Sequence, residues 1–174
     1  MSLCRENGQT DRAPDRIAMN QRTFMQRAIE LAHQKMRENC GGPFGAVIVR
    51  DDRIVAEGWN QVGSTNDPTA HAEIAAIRKA CGVLNRFSLP DCDIYTNCEP
   101  CPMCLGAIYW ARVRTIYYSS TRADAARIGF DDDFIYKEVA LPPELRKIPT
   151  IRIVEPRSDF VVNEWVNNPE KKRY

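Results

Sequence analysis

His71-Ala72-Glu73 and Pro100-Cys101-Pro102-Met103-Cys104 decide how this chain is read, because the residues between them suffice for one helix and one strand. One imidazole and two thiolates suit zinc and leave the fourth tetrahedral position for water. Zinc lowers the pKa of such a water to about 7, so hydroxide is available near neutral pH. Glu73, two residues beyond the histidine, is then free to move protons. Two residues on a regular helix differ by about 200° in rotation, so His71 and Glu73 converge on one water only at a first turn. Cys101 precedes Pro102, a residue favoured at the first helical position, and Cys104 follows three residues later on the same side. Both segments therefore read as helix N-termini, where unpaired N–H groups and the positive dipole end favour thiolate over thiol.

Cys98 leaves a second reading open, since Cys98, Cys101, Cys104 and His71 could form a closed Cys3His structural zinc and make the chain a binding module. That arrangement gives Glu73 no purpose and strains Cys98 across Pro100. A Cys-x-x-Cys alone is also compatible with a redox pair, which calls for no His-x-Glu partner.

Outward from the two segments, Phe24, Ala28, Ile29, Ala32 and Met36 recur at helical steps over Thr23 to Glu38, with Gly41-Gly42 as a stop. His33, beside that stripe, has no Cys or acidic partner motif and is given no role. Phe44 to Val49 is almost continuously apolar, the pattern of a strand covered on both faces. Asp51-Asp52 turns the chain into a second strand, Arg53 to Trp59, and Gln61 to Asp67 reads as a loop. Further strands are expected at Cys92 to Thr96, Thr115 to Tyr118 and Thr150 to Val154. Helices are expected at Ala70 to Cys81, Pro102 to Ala111, Arg122 to Ile128 and Phe160 to Val166. In the first of these, Ala70, Ile74, Ile77, Cys81 and Leu84 form the buried stripe. The alternation implies an α/β fold, a three-layer α/β/α sandwich around a central mixed five-stranded sheet.

A chain of 174 residues suits one domain, expected over residues 21–174. Residues 1–20 are polar, mixed in charge and broken by Pro14, and read as a flexible N-terminal arm. Lys+Arg 24 against Asp+Glu 23 leaves a net charge of +1, which provides no general attraction for nucleic acid or an anionic membrane. A small neutral substrate fits better. No apolar run approaches a membrane span and the opening lacks a signal-peptide core, so the expected location is cytoplasmic. Seven cysteines without a regular framework argue for a reducing compartment. Cys81 reads as a small core residue and Cys4 as an exposed thiol.

With these residues in hand, the chain resembles the cytidine deaminase superfamily, and within it the small bacterial guanine deaminases. The likeness runs from about Thr23 to Tyr174 and is carried by four stretches: GGPFGAVIV at 41–49, DPTAHAE at 67–73, CEPCPMCLGAIYWAR at 98–112 and GFDDDFIYKE at 129–138. The first three are shared with relatives acting on tRNA adenosine or free cytosine; the fourth, with the terminal tyrosine, points to guanine.

The resemblance implies a cytidine deaminase-like fold, one zinc per chain held by His71, Cys101 and Cys104, and hydrolytic deamination with Glu73 as proton shuttle. The implied products are xanthine and ammonia. It implies that Phe44 stacks on the purine, Asn60 hydrogen-bonds its edge, Ala72 contacts it and Trp110 helps wall the pocket. It gives Asp132, in the run Asp131 to Asp133, a role in proton transfer or in accepting from the guanine edge. A C-terminal segment exchanged in a homodimer, with Tyr174 entering the neighbour's site, is implied as well. Guanosine, tRNA adenosine and cytosine remain alternative substrates, because the zinc motif does not separate them.

Overall fold

The structure, a computed structural model, describes residues 13–130 and 132–173, with the side chains of residues 13–18 left aside. Gly45–Arg50 (β1) is buried along nearly its whole length, as its unbroken apolar pattern requires. Asp51 and Asp52 both take positive φ, 48° and 56°, the backbone of a two-residue hairpin turn whose twist matches its strands. Arg53–Trp59 (β2) returns antiparallel to β1. Asp93–Cys98 (β3) pairs antiparallel on the other side of β1, and Thr115–Ser120 (β4) pairs parallel to β3. The sheet order is β2-β1-β3-β4.

Helices cover both faces. Ala13–Arg37 (α1) lies on one, where Phe24 packs with Val47, Val49 and Tyr95. After the short Val62–Thr65 helix (α2), Ala72–Leu84 (α3) and Pro102–Trp110 (α4) cover the other, enclosing Ala46, Ile48, Ala56, Ala76, Ile94 and Ile108. Asn85, at φ 49°, ends α3 in the left-handed region that asparagine tolerates. Arg122–Arg127 (α5), Asp133–Ala140 (α6) and Ser158–Asn167 (α7) follow, with a 3-10 turn at Pro143–Leu145 between the last two. Thr121 and Asp124 close a capping box at the start of α5.

The expected layers and mixed sheet are present, but among the described residues the sheet has four strands, not five. Residues 150–154, expected as a strand, form no regular element, because the segment lies on no sheet edge and its β-branched side chains stay in solvent. Helix α1 starts at Ala13, ahead of the expected Thr23, so residues 13–20 of the anticipated arm are helical. Pro14 falls in the first turn, where its missing N–H has no partner to lose. Residues 1–12 lie outside the described residues. Helix α3 begins and ends later than expected, α2 lies in the segment read as a loop, and α6 occupies a segment for which no element is expected.

Strand register then positions the site. Gly45 pairs with Trp59, Ala46 with Thr96, and Cys98 with Ser120, so the start of β1 and the ends of β2, β3 and β4 share one sheet edge. Phe44, Asn60, the Cys98 to Cys101 loop and Thr121 emerge there. Helix α3 comes down on β2 so closely that a Cβ on Gly58 would lie 2.3 Å from the Ala72 carbonyl oxygen and 2.4 Å from the Ala76 nitrogen. That contact sets the height of the α3 N-terminus above the sheet. Gly58→Ala is expected to destabilise the fold by about 1–3 kcal/mol through overpacking, read as a lowered denaturation midpoint with unchanged m-value.

Candidate active site

Helices α3 and α4 point their N-termini at one another across this edge. His71 is the N-cap of α3, extended at φ −70° and ψ 161°, and Cys101 is the N-cap of α4 at φ −66° and ψ 168°, with Pro102 next. The His71 Nδ1 atom lies 3.6 Å from Cys101 Sγ and 3.5 Å from Cys104 Sγ. The three ligand atoms all fall within 4.8 Å of one another. A tetrahedral ion with Zn–S of about 2.3 Å and Zn–N of about 2.0 Å requires an S···N separation of about 3.5 Å. The donor set and its spacing therefore fit one zinc, with Nδ1 as the ligating nitrogen.

Electrostatics favour the same occupant. The neighbouring Cys104 thiol and His71 hold the Cys101 thiol down at about 4, while Cys101 and burial push Cys104 up. The Cys101 thiolate in turn raises the His71 pKa. Cys101 and Cys104 would hold a dication as two thiolates, with His71 as the third ligand. Glu73, in the first turn of α3, is 6% exposed, and burial pushes its carboxyl up to about 7. A carboxyl poised there both accepts and releases a proton near neutral pH.

Above the triad opens a cavity of about 530 Å³, whose walls include Phe44, Asn60, His71, Glu73, Cys101 and Asp132. Phe44 meets Phe130 edge-on, with ring centroids 4.9 Å apart. Asn60 is buried, and its side-chain oxygen accepts from the Gly42 and Val62 N–H groups, each at 3.4 Å. Among the described residues no acceptor takes its amide NH2. Ala72 is fully buried between the histidine and the glutamate.

The structure thus brings together His71, Cys101, Cys104, Glu73, Phe44, Asn60 and Asp132. Trp110 is not with them: it lies at the end of α4, 69% exposed, away from the cavity walls. Asp131 and Tyr174 lie outside the described residues. Cys98 lines the cavity but stands apart from the ligand group, its thiol 3.7 Å from the Thr121 carbonyl and pushed up to about 11 by burial. A closed Cys3His centre is therefore not assembled. Sequence reasoning missed Phe130 and Glu99, which also line the cavity. Phe130, next to the acidic run, and Glu99, within CEPC, adjoin motifs already singled out, but neither carries a spacing signal of its own.

Comparisons with known proteins agree with this geometry. The cytidine and deoxycytidylate deaminase zinc-binding region matches residues 18–120. Guanine deaminase of Bacillus subtilis is 54% identical over 158 residues, covering 90% of this chain and 100% of that protein. The X-ray structure of guanine deaminase from Bacillus subtilis superposes with a TM-score of 0.86 at 53% identity, covering 88% of this chain and 98% of that one. The tRNA-specific adenosine deaminase of Agrobacterium fabrum is 50% identical, but over 45% of this chain and 51% of its own length. With its zinc-binding triad, buried glutamate and matched zinc-binding region, the chain belongs to the cytidine and deoxycytidylate deaminase family of zinc-dependent hydrolases.

Proposed function

We propose that this chain hydrolyses guanine to xanthine and ammonia. The observation that carries the reading is the placement of two carboxylates, Glu73 and Asp132, in one cavity with the zinc triad, within a chain similar along 90% of its length to a guanine deaminase. The likeness to the Agrobacterium fabrum tRNA-specific adenosine deaminase spans only 45% of the chain. The net charge of +1 supplies none of the basic footprint that a tRNA substrate calls for.

When bound, zinc supplies a water acidified to a pKa of about 7. Glu73 removes a proton from that water as its oxygen adds to C2 of guanine, and passes the proton to ring N3. It then takes the proton of the new C2 hydroxyl and delivers it to the amine, which leaves as ammonia while C2 becomes a carbonyl. One carboxylate thus relays two protons, and the sum is guanine plus water giving xanthine plus ammonia. Phe44 presents a ring face edge for stacking, and the free Asn60 amide donates to a purine acceptor. Asp132 accepts from the ring N–H and exocyclic amine, donors that cytosine and adenine do not present together.

The C-terminal segment supports a homodimer with an exchanged tail. Every residue over 151–170 is exposed, including Ile151, Ile153, Phe160, Val161 and Trp165, more apolar surface than a lone domain leaves in water. Tyr109 and Trp110 on α4 are exposed too, at 75% and 69%. In this reading a second copy covers these faces, and Tyr174 closes the neighbour's cavity over guanine and excludes solvent.

Ammonia release from guanine, guanosine, cytosine, adenine and a tRNA anticodon stem is expected to be far fastest with guanine. A stem deaminated with steeply salt-dependent affinity while guanine is inert overturns the reading. Cys98→Ser is expected to keep one zinc per chain and Cys101→Ser to lose it, measured by metal analysis; zinc lost from both would restore the structural Cys3His centre. Glu73→Gln is expected to retain zinc and lose about 10⁴-fold or more of turnover, the upper range of proton-transfer contributions. Mixed with a chain lacking Tyr174, it should regain partial activity if the tail crosses to its partner. No recovery despite demonstrated subunit exchange excludes the swapped tail.

A further inference from the structure

Helix α6 carries Asp132 as its N-cap residue, yet none of its residues is buried. Two hydrogen bonds from its first turn, Ile135 N–H at 2.9 Å and Tyr136 N–H at 3.2 Å, end on the Asp132 carbonyl, so the aspartate moves with the helix. One half-buried side chain ties the helix to the loop beside the cavity. The Tyr136 hydroxyl donates to the Pro100 carbonyl at 2.9 Å, in the peptide that leads directly into the zinc ligand Cys101. Pro100 is buried, and among the described residues no backbone N–H reaches that carbonyl, so the phenol is its partner. The Arg122 guanidinium lies 4.8 Å over the Tyr136 ring and clamps it from the other side. Arg122 in turn is tied to the same loop, its N–H donating to the Glu99 carboxylate at 3.1 Å, while the Glu99 N–H donates to the Ser120 carbonyl at 2.8 Å.

We propose that Tyr136 is a positioning residue, a latch that fastens α6 to the zinc-ligand loop and so sets Asp132 in register with the metal centre. The phenol and Asp132 stand one helical turn apart, so a hydrogen bond made at the loop is transmitted as the placement of the carboxylate. Because α6 has no buried face to hold it, loss of that bond lets the helix populate positions in which Asp132 does not meet the substrate. The loop itself stays in place, since Cys101 and Cys104 are anchored by α4 and Glu99 by β4.

The proposal rests on Asp132 touching the purine, and a double-mutant cycle separates the two claims. Tyr136→Phe keeps the ring and its guanidinium contact and removes only the hydroxyl. It is expected to retain one zinc per chain and to lower kcat/KM for guanine by about five- to tenfold, the population shift from one lost hydrogen bond. Asp132→Asn is expected to lower it further, and Tyr136→Phe added to Asp132→Asn is expected to cause no additional loss. If the two effects multiply, or if Tyr136→Phe loses zinc, the tyrosine acts on the loop or the fold and the latch is overturned. Wild-type kinetics in Tyr136→Phe beside an impaired Asp132→Asn overturn the latch alone. Wild-type kinetics in Asp132→Asn overturn the role given to the carboxylate, and the latch with it.

Discussion

Two helix N-termini aimed at one point repel each other and repel a cation, and the site exists because two sulfurs reverse that balance. The caps of α3 and α4 are His71 and Cys101, with Cys104 one turn further on. Each helix end lends its positive dipole and free N–H groups to stabilising thiolate, and two thiolates offset the charge of a dication. Neither helix can be moved without breaking this compensation. Gly58 on one side and Pro102 on the other then act as mechanical stops for ligands whose S···N separations, 3.5 and 3.6 Å, leave little room for error.

The same compactness explains the behaviour of Glu73. On the first turn of α3 it cannot reach solvent without unwinding the helix that carries His71, so it is buried with its carboxyl pushed up to about 7. Burial and metal ligation are thus a single construction. The buried carboxyl takes its position from the same helix that His71 caps.

Much of this was legible in residue order, and the exceptions have physical causes. β2 was read with its observed ends, because Asp51-Asp52 before it and the polar loop after it are local signals. Spacing alone points to His71, Cys101 and Cys104 as candidate ligands and to a first-turn geometry, but leaves Cys98 open as a fourth. The expected strand at 150–154 shows the opposite case: a strand exists only where a neighbouring edge accepts it, and β-branched composition contains no information about that edge. Pro14 was read as a break because the same residue stops a helix interior and starts a helix, and only the following chain decides which. Trp110 on an apolar helix looked like a core or pocket residue, but α4 is apolar on all sides, so periodicity could not say which face meets the protein. Asp132 stands at the start of α6, a helix with no buried residue, so no hydrophobic stripe in the sequence points to its place beside the cavity.

The register of the sheet also divides the molecule by the room it leaves for side chains. Gly45 lies under α1, where a Cβ would come within 2.4 Å of the Ala28 carbonyl oxygen, and Gly58 lies under α3 in the same way. The two glycines pin opposite faces of neighbouring strands, so drift in the scaffold is penalised from both sides at once. The cavity residues Phe44, Asn60 and Asp132, in contrast, hang from positions beyond the strand ends and from the start of α6, which has no buried residue. Substitutions in those loops or in α6 therefore reshape the cavity wall while leaving in place the two close helix–strand contacts on which the triad is built.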